Sequence, residues 1–257
     1  MYLRAVHAEN SIPALRQLIK DYPLGVLTTA IASTSEPFIQ SSHIPWVLDV
    51  QNDSSETELG VLRGHLARAN PQSKTMIESL SANNRTGTGN VLDQEVLVLF
   101  TAPTHHYVTP KFYTETKPTT GKVVPTWNYA AVQAYGRAKI YYESKSEETS
   151  SFLARQIHDL SQHGEVSVMG YTGKDDRPGP WKVTDAPERY IELSKMAIVG
   201  IEITIDRLQG KFKMSQELSE GDREGVVKGF KALESAVGSS MSDLVRERGE
   251  LKQKSKQ

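Results

Sequence analysis

The stretch Leu24-Gly-Val-Leu-Thr-Thr-Ala-Ile31 leads through a polar turn into Pro37-Phe-Ile-Gln-Ser-Ser-His-Ile-Pro-Trp-Val-Leu48. Both segments are rich in β-branched and aromatic residues between turn signals, which predicts strands. The same pattern recurs at 60–66, 95–102, 107–113 and 132–142. Strands this closely spaced predict an antiparallel sheet or barrel. They leave no room for the regular strand and helix alternation of a doubly wound nucleotide-binding sheet.

Segments with helical periodicity lie before, between and after these strands. Apolar residues spaced by three or four positions predict helices over 10–22, 70–80, 146–163 and 222–245, with a further helix starting at Asp185. Alternation over 197–205 predicts another strand, with 209–214 as its hairpin neighbour, and 51–58, 81–90 and 116–122 are predicted loops. We interpret residues 1–245 as one mainly β domain with α-helical additions and residues 246–257 as a polar tail.

The composition excludes several classes of function. The 257 residues include 30 basic and 31 acidic ones, so a formal net charge of -1 gives no general attraction to polyanions. Without a recognisable reading helix, direct DNA binding is not expected. The chain has no cysteine, which excludes disulfides and thiolate metal sites. No stretch resembles a signal peptide or a membrane span, so we expect a cytoplasmic location, with the nucleus as the alternative.

The segment Arg63-Gly-His-Leu-Ala-Arg-Ala-Asn-Pro-Gln72 is the clearest candidate for binding chemistry, because a strand end runs directly into a helix start. Arg68 offers a forked, always-charged donor, while Asn70 and the first free amides of the helix offer neutral donors. Together they suit a phosphate. The alternative is that Asn70 only caps the helix and Arg68 is solvated.

Two aromatic-rich segments offer other chemistry. In Val124-Pro-Thr-Trp-Asn-Tyr129, the aromatic side chains could stack on a planar ring, or they could form a core pair that pins a loop. His105 and His106 are neighbours on a predicted strand end and therefore face opposite sides, so they cannot easily share one metal ion. We predict no metal site there and keep an axial haem ligand as an alternative.

The segment Lys211-Phe-Lys-Met-Ser-Gln216 alternates polar and apolar residues. Its Lys211, Lys213 and Ser215 share one face, which could meet an anion or form the wet side of an edge strand. The segment Gly87-Thr-Gly89 lacks the helix start and the Lys-Ser/Thr pair of a phosphate loop. No catalytic triad or paired catalytic carboxylates stand out, and no residue is identified as a proton donor or hydride partner.

Six ordered blocks are similar to the PaiB-type negative transcriptional regulators, an FMN-binding split-barrel family related to pyridoxamine phosphate oxidases. The resemblance runs from Met1 to about Phe230. The matching blocks are Ser42-His-Ile-Pro45, Gly64-His-Leu-Ala-Arg-Ala-Asn-Pro71, Phe100-Thr-Ala-Pro103 with Tyr107-Val-Thr-Pro110, Val124-Pro-Thr-Trp-Asn-Tyr129, Ile198-Val-Gly-Ile-Glu-Ile203 and Lys211-Phe-Lys-Met-Ser-Gln216.

The resemblance implies a Greek-key-like split barrel that forms a homodimer with FMN in the groove between subunits. His43 and the segment containing His65, Arg68 and Asn70 are then expected at the phosphate and ribityl chain. The remaining expected cofactor-binding residues border the ring or lie near it: Trp127, Asn128, Tyr129, Lys213, Ser215 and Gln216. The chain departs from bacterial members at Ala102-Pro-Thr-His-His-Tyr107, one residue longer, and at Glu217, where they have asparagine.

The resemblance leaves three classes of function open. The first is a flavin-dependent oxidoreductase, in which FMN carries the chemistry. The second is a transcriptional regulator that senses a small-molecule ligand. The third is a haem-binding or haem-degrading split barrel, with His105 or His106 as the haem ligand. We expect FMN as the cofactor, haem as its alternative, and a second copy of the chain as the partner.

Overall fold

The computed structural model describes residues 1–83 and 90–254. Its strands are β1 (Ala8–Glu9), β2 (Leu24–Ala30), β3 (Ile39–Pro45), β4 (Val47–Asp49), β5 (Val61–Ala67), β6 (Val91–Thr101), β7 (His106–Val108), β8 (Thr126–Tyr141) and β9 (Ile198–Lys213). Its α-helices are α1 (Ile12–Asp21), α2 (Pro71–Asn83), α3 (Thr116–Thr120), α4 (Glu147–Gln162), α5 (Glu188–Met196), α6 (Glu220–Lys231) and α7 (Ala236–Lys254). None of the helices described is both long and apolar enough to cross a membrane.

The strands form one sheet with the order β3-β2-β6-β8-β9-β5-β4, while β1 pairs with β9 and β7 pairs with β8 off this path. The pairs β2–β3, β2–β6, β4–β5 and β5–β9 are all antiparallel. Because β3 and β4 end the strand order, the described sheet is open. The mainly β architecture with flanking helices that the sequence predicts is confirmed.

The chain divides into two compact units. The first unit comprises Met1–Leu18, Thr101–Gln133 and Gln209–Gln257, and the second comprises Ile19–Phe100 and Ala134–Leu208. Each unit has its own buried apolar residues, including Phe230 and Met241 in the first and Leu27 and Val98 in the second. The interpretation of residues 1–245 as one domain stays a prediction.

In the second unit, polar side chains anchor the helices on the sheet. The buried Gln72 of α2 donates from Nε2 to the carbonyl of Leu27, the hydroxyl of Thr29 and the carbonyl of Gln40. The buried Arg63 of β5 donates to Asp159 of α4. Since these groups are removed from water, their hydrogen bonds fix where α2 and α4 lie.

In the first unit, α6 and α7 form a helical hairpin over a buried apolar contact that includes Val226 and Val245. Ser219 caps α6 by accepting from the amide of Asp222. The carboxylate of Asp222 accepts in turn from the amides of Glu115 and Thr116 at the start of α3.

The structure corrects several predicted boundaries. Residues 198–213 form the single strand β9, so the predicted hairpin between 197–205 and 209–214 is wrong. Both stretches belong to one continuous strand, because Gln209 and Gly210 adopt strand geometry and do not form a turn. The predicted strand 107–113 ends at Val108 and continues as a 3-10 helix over Pro110–Phe112, where proline at the first position favours helix.

Further differences lie toward the C-terminus and in the loops. The predicted helix 222–245 is two helices, and α7 continues to Lys254, past the predicted start of the tail at 246. The predicted loop 116–122 contains α3, which Gly121 ends in a left-handed conformation with φ 64°. The segment Gly87-Thr-Gly89 lies outside the described residues.

Candidate functional site

The residues predicted to bind the cofactor fall into two groups. His43, His65, Arg68 and Asn70 belong to the second unit, and Trp127, Asn128, Tyr129, Lys213, Ser215 and Gln216 belong to the first. We therefore describe two candidate surfaces, one in each unit.

The first candidate is one face of the sheet in the second unit, here called the β2–β3–β6 face. Antiparallel register places Val26 opposite His43 and Leu99, and Thr28 opposite Ser41 and Leu97, so these six side chains share a face. Ser41 and His43 are exposed and the other four are half-buried. The hydroxyls of Thr28 and Ser41 lie 2.9 Å apart. The face thus combines a half-buried apolar centre with a hydroxyl and imidazole edge.

The N-terminus of α2 lies beside β3. Asn70 accepts a hydrogen bond from the amide of Gln72 at 2.8 Å, which is a helix cap, and its Nδ2 donates to Ser42 Oγ at 3.1 Å. The capping alternative for Asn70 is therefore confirmed, and its contact with a ligand stays a prediction. Lys74, in the first turn of α2, is exposed.

The guanidinium of Arg68 hydrogen-bonds to main-chain carbonyls of the protein. Its Nη2 donates to the carbonyl of Tyr142 at 2.7 Å, and its Nε donates to the carbonyl of Met196 at 3.1 Å. These carbonyls follow β8 and end α5, so Arg68 ties two chain segments together. The alternative that Arg68 is simply solvated is wrong, and its contact with phosphate stays a prediction.

His65 is the most unusual titratable group of the second unit. Burial lowers the pKa of His65, which keeps its imidazole neutral. Its Nδ1 is buried, and no group within residues 1–83 and 90–254 hydrogen-bonds to it. Such an unpaired buried nitrogen is uncommon in folded proteins.

The second candidate lies in the first unit, where three predicted cofactor contacts prove to be buried. Asn128 and Ser215 are both 0% exposed and hydrogen-bond to each other, with 2.9 Å from Asn128 Nδ2 to Ser215 Oγ. Ser215 holds this contact with a left-handed backbone of φ 61°. Gln216 accepts from the amide of Met214 at 2.6 Å and donates to the carbonyl of Phe212. These side chains fix the chain after β9.

Aromatic and lysine side chains gather on the surface beside them, here called the aromatic–lysine face: Tyr107, Trp127, Tyr129, Lys211 and Lys213. Tyr107 lies opposite Trp127 in the β7–β8 pair, and their exposed fractions are 42% and 48%. Lys213 donates to the carbonyl of Trp127 at 3.1 Å, and Lys211 Nζ lies 5.5 Å from the ring centre of Tyr129. The indole Nε1 of Trp127 donates to His105 Nδ1 at 3.2 Å.

A buried ion pair adjoins this face. His7 is 2% exposed, and its Nε2 lies 3.0 Å from Glu217 Oε2, while Lys213 Nζ lies 3.8 Å from Glu217 Oε1. Burial lowers the pKa of Lys213, the charges of Lys211 and Arg4 act in the same direction, and Glu217 opposes them. Sequence reasoning missed His7, since no spacing links it to a partner 210 positions away.

The histidines considered for haem have contacts within the protein. His105 accepts from Trp127, and His106 Nδ1 lies 2.8 Å from the carbonyl of Tyr107, with its ring edge-on to Phe230. In the described parts of the chain, no three His, Asp or Glu side chains are placed to hold a metal ion.

The open antiparallel sheet with flanking helices has the architecture expected of a split-barrel protein. The chain belongs to the family described as "Putative FMN-binding domain", whose model matches residues 1–207. The PaiB-type resemblance found in the sequence is thereby confirmed, and the family description agrees with the predicted cofactor.

Relatives and solved structures extend the comparison. An uncharacterized protein of Aspergillus fumigatus is 57% identical over 99% of this chain and 100% of its own length. The protease synthase and sporulation protein PAI 2 of Bacillus subtilis is 24% identical over 81% of this chain and 80% of its own. The flavocytochrome Anf3 from Azotobacter vinelandii is a structural neighbour with a TM-score of 0.45 and 10% identity, covering 82% of this chain and 72% of that one.

Proposed function

We propose that the protein is an FMN-binding homodimer in which the β2–β3–β6 face of the second unit holds the flavin. The observation that carries this proposal is the half-buried apolar face with Ser41 and His43 at its exposed edge. Membership of the FMN-binding family supports it.

The residues of this face fit the parts of FMN. Val26, Leu97 and Leu99 form a flat apolar surface of the kind that packs against a planar ring system. The hydroxyl of Ser41 and the imidazole of His43 can hydrogen-bond to the ribityl chain. Lys74, exposed in the first turn of α2, adds a positive charge that can bind a phosphate.

The same surface supports the proposal of a homodimer. Ile39, with 65% exposure, and Leu24, with 59%, extend the apolar area along the edge of the sheet. Contiguous exposed apolar area of this kind usually marks an interface. A second copy that covers the face through a two-fold axis would shield both the apolar residues and a bound ring from water.

Bound FMN would supply redox chemistry, and the chain would orient the flavin and control its contact with water. We propose a flavin-dependent oxidoreductase as the finer activity, with oxidation of NAD(P)H by the FMN-loaded protein as its assay. Sensing of a small-molecule ligand by a regulator remains the second candidate. Direct DNA binding by such a regulator has no support, because a net charge of -1 gives no general attraction to DNA.

The first test is a titration of the full chain with FMN and, separately, with riboflavin, followed by visible absorbance and flavin fluorescence. Leu99→Asp places a charge in the centre of the face and should weaken both flavins by at least about tenfold, since burying an unpaired carboxylate is costly. Lys74→Ala should weaken FMN while leaving riboflavin unchanged. Lys228→Ala, which removes a 79% exposed lysine of α6, is the matched control for Lys74→Ala.

The outcomes separate the candidates. If the wild-type protein retains flavin and Leu99→Asp does not, the proposal is supported. A wild-type protein that binds neither flavin overturns it. A Soret band after addition of haemin, without flavin binding, would replace FMN by haem. Sedimentation of wild type and Leu99→Asp tests the dimer, because the charged variant should be monomeric.

A further inference from the structure

We propose that the first unit carries a second site, in which Lys213 forms an iminium ion with a small planar aldehyde that bears a carboxylate or phosphate group. This inference goes beyond flavin binding, since the site consists of residues of the first unit alone. Its chemistry needs no redox cofactor.

The amine of Lys213 is positioned and largely withdrawn from water. Its side chain is 15% exposed, and Nζ hydrogen-bonds to the hydroxyl of Thr126 and to the carbonyl of Trp127 at 3.1 Å. A lysine reacts with carbonyl compounds only as the neutral amine. Desolvation and neighbouring cations raise the neutral fraction, as they do for lysines that act as nucleophiles.

Glu217 is placed to move the proton that this reaction requires. Its Oε1 lies 3.8 Å from Lys213 Nζ, and its Oε2 is held at 3.0 Å from His7 Nε2. Because His7 is only 2% exposed, the carboxylate is fixed from the side away from the lysine. A carboxylate held between two nitrogen groups can accept a proton from one and return it later.

The reaction balances with these groups. The Lys213 ammonium gives a proton to the Glu217 carboxylate, and the neutral amine attacks the aldehyde carbon, forming the C–N bond. The proton on nitrogen moves to the alkoxide oxygen to give a carbinolamine. The protonated Glu217 then donates its proton to the leaving hydroxyl, the C–O bond breaks, and water leaves an iminium ion on Lys213.

The surrounding side chains define the class of aldehyde. Trp127 and Tyr107 present half-exposed aromatic rings on the same face of the sheet, and His105 holds the indole of Trp127 in place. Such rings favour a planar partner. Lys211 and Arg4 are positive charges felt at Lys213, so an anionic group on the aldehyde is favoured.

The test traps the iminium ion on the full-length protein. The protein is incubated at pH 7 with 4-carboxybenzaldehyde and sodium cyanoborohydride, and the alkylated lysines are identified by peptide mass spectrometry. Lys213 should be labelled faster than Lys228, since a lowered pKa leaves a larger fraction of the amine neutral. Lys228 is a suitable reference because its side chain is 79% exposed.

The methyl ester of the same aldehyde keeps the ring and its reactivity but lacks the charge. It should label Lys213 more slowly, and equal rates would overturn the anionic class. Labelling of Lys213 no faster than Lys228 in the wild-type protein would overturn the site as a whole. This result needs no variant, so a folding defect cannot obscure it, and it is independent of whether FMN binds.

Variants then assign the roles. Lys213→Arg should remove the fast label, whereas Lys231→Arg, at an exposed lysine in the last turn of α6, should leave Lys213 labelled. Glu217→Gln should slow trapping by about tenfold if the carboxylate transfers the proton, at the lower end of typical general acid–base effects. Faster trapping in Glu217→Gln would show that Glu217 acts only by stabilising the ammonium, which contradicts its assigned step.

Discussion

Arg63 Nη2 lies 2.7 Å from Asp159 Oδ2, and this ion pair joins β5 to α4 within the second unit. The guanidinium is 3% exposed and also contacts Asp49 and Gln156. When Arg63 is replaced, Asp159, Asp49 and Gln156 each lose a hydrogen bond.

Arg63→Ala should lower the free energy of unfolding by about 3 kcal/mol, because it removes a buried side chain with several hydrogen bonds and leaves the buried Gln156 without its donor. Urea denaturation followed by circular dichroism measures the loss. Arg155→Ala is the matched control, since Arg155 is 55% exposed and lies 3.8 Å from Asp49. It should cost less than about 1 kcal/mol. Equal losses in both variants would contradict the structural role of Arg63.

Asp159 should make stability depend on acid pH. Burial raises the pKa of Asp159, but hydrogen bonds from His158 and Arg63 outweigh it, so the pKa in the folded state is lowered. The unfolded chain then binds a proton more readily, and the stabilisation present above pH ~4 is lost as the pH falls through the folded-state pKa. Stability measured from pH 6 to pH 2.5 should therefore fall less in Asp159→Asn than in the wild type.

His65 should make the stability of the protein depend on pH in the range just below 6.5. Because burial lowers its pKa below the ordinary value of 6.5, the unfolded state binds a proton near neutral pH that the folded state does not. Stability should fall as the pH drops below 6.5, and this component should be missing in His65→Gln. Denaturation at pH 7.5 and pH 5.5 tests it. Identical pH dependence in the two proteins would show that the imidazole is not buried as described.

Ser215→Ala tests whether the contact between Ser215 and Asn128 is structural. The variant should lose about 1 to 3 kcal/mol of stability, because the buried amide of Asn128 loses its partner. Ser35→Ala, on the surface, should change stability by less than about 0.5 kcal/mol. A Ser215→Ala protein of unchanged stability but weakened flavin binding would instead support the ligand role predicted from sequence.

Gly136→Ala should be among the most damaging substitutions in β8. A Cβ at this position would lie 2.1 Å from the carbonyl oxygen of Thr204, which is backbone of the neighbouring strand and cannot move aside. We expect a loss of more than about 3 kcal/mol or no folded protein. Gly164→Ala is the control, since no atom lies within 4 Å of its added methyl group. Thermal unfolding of the two variants compares them directly.

Much of the fold could be predicted because alternation and turn signals are local. The strands β2, β5 and β6 and the helices α1 and α4 lie within a few residues of their predicted positions. The unbroken course of β9 through Gly210 could not be predicted, because glycine usually interrupts a strand. In the structure, Ala8 and Glu9 pair with Lys211 and Gly210 and keep this part of β9 extended.

The candidate site was predicted less completely, since its chemistry depends on contacts between distant residues. The sequence drew attention to Lys213 and Trp127, but not to the contact of Glu217 with His7. The sequence also could not show that Arg68 is bound to two main-chain carbonyls or that Asn128 faces inward. A polar residue in a family motif looks the same whether it contacts a ligand or stabilises the backbone.

The pairing of Ala8 with Lys211 has a consequence for how the protein folds. Ala8 and Glu9 pair with residues about two hundred positions further along the chain, and Glu9 also bonds to Arg248 of α7. Contacts this distant in sequence slow folding, because a long loop must close before they form. The first unit is therefore complete only after these distant segments meet, and we expect this pairing to be a slow step of folding.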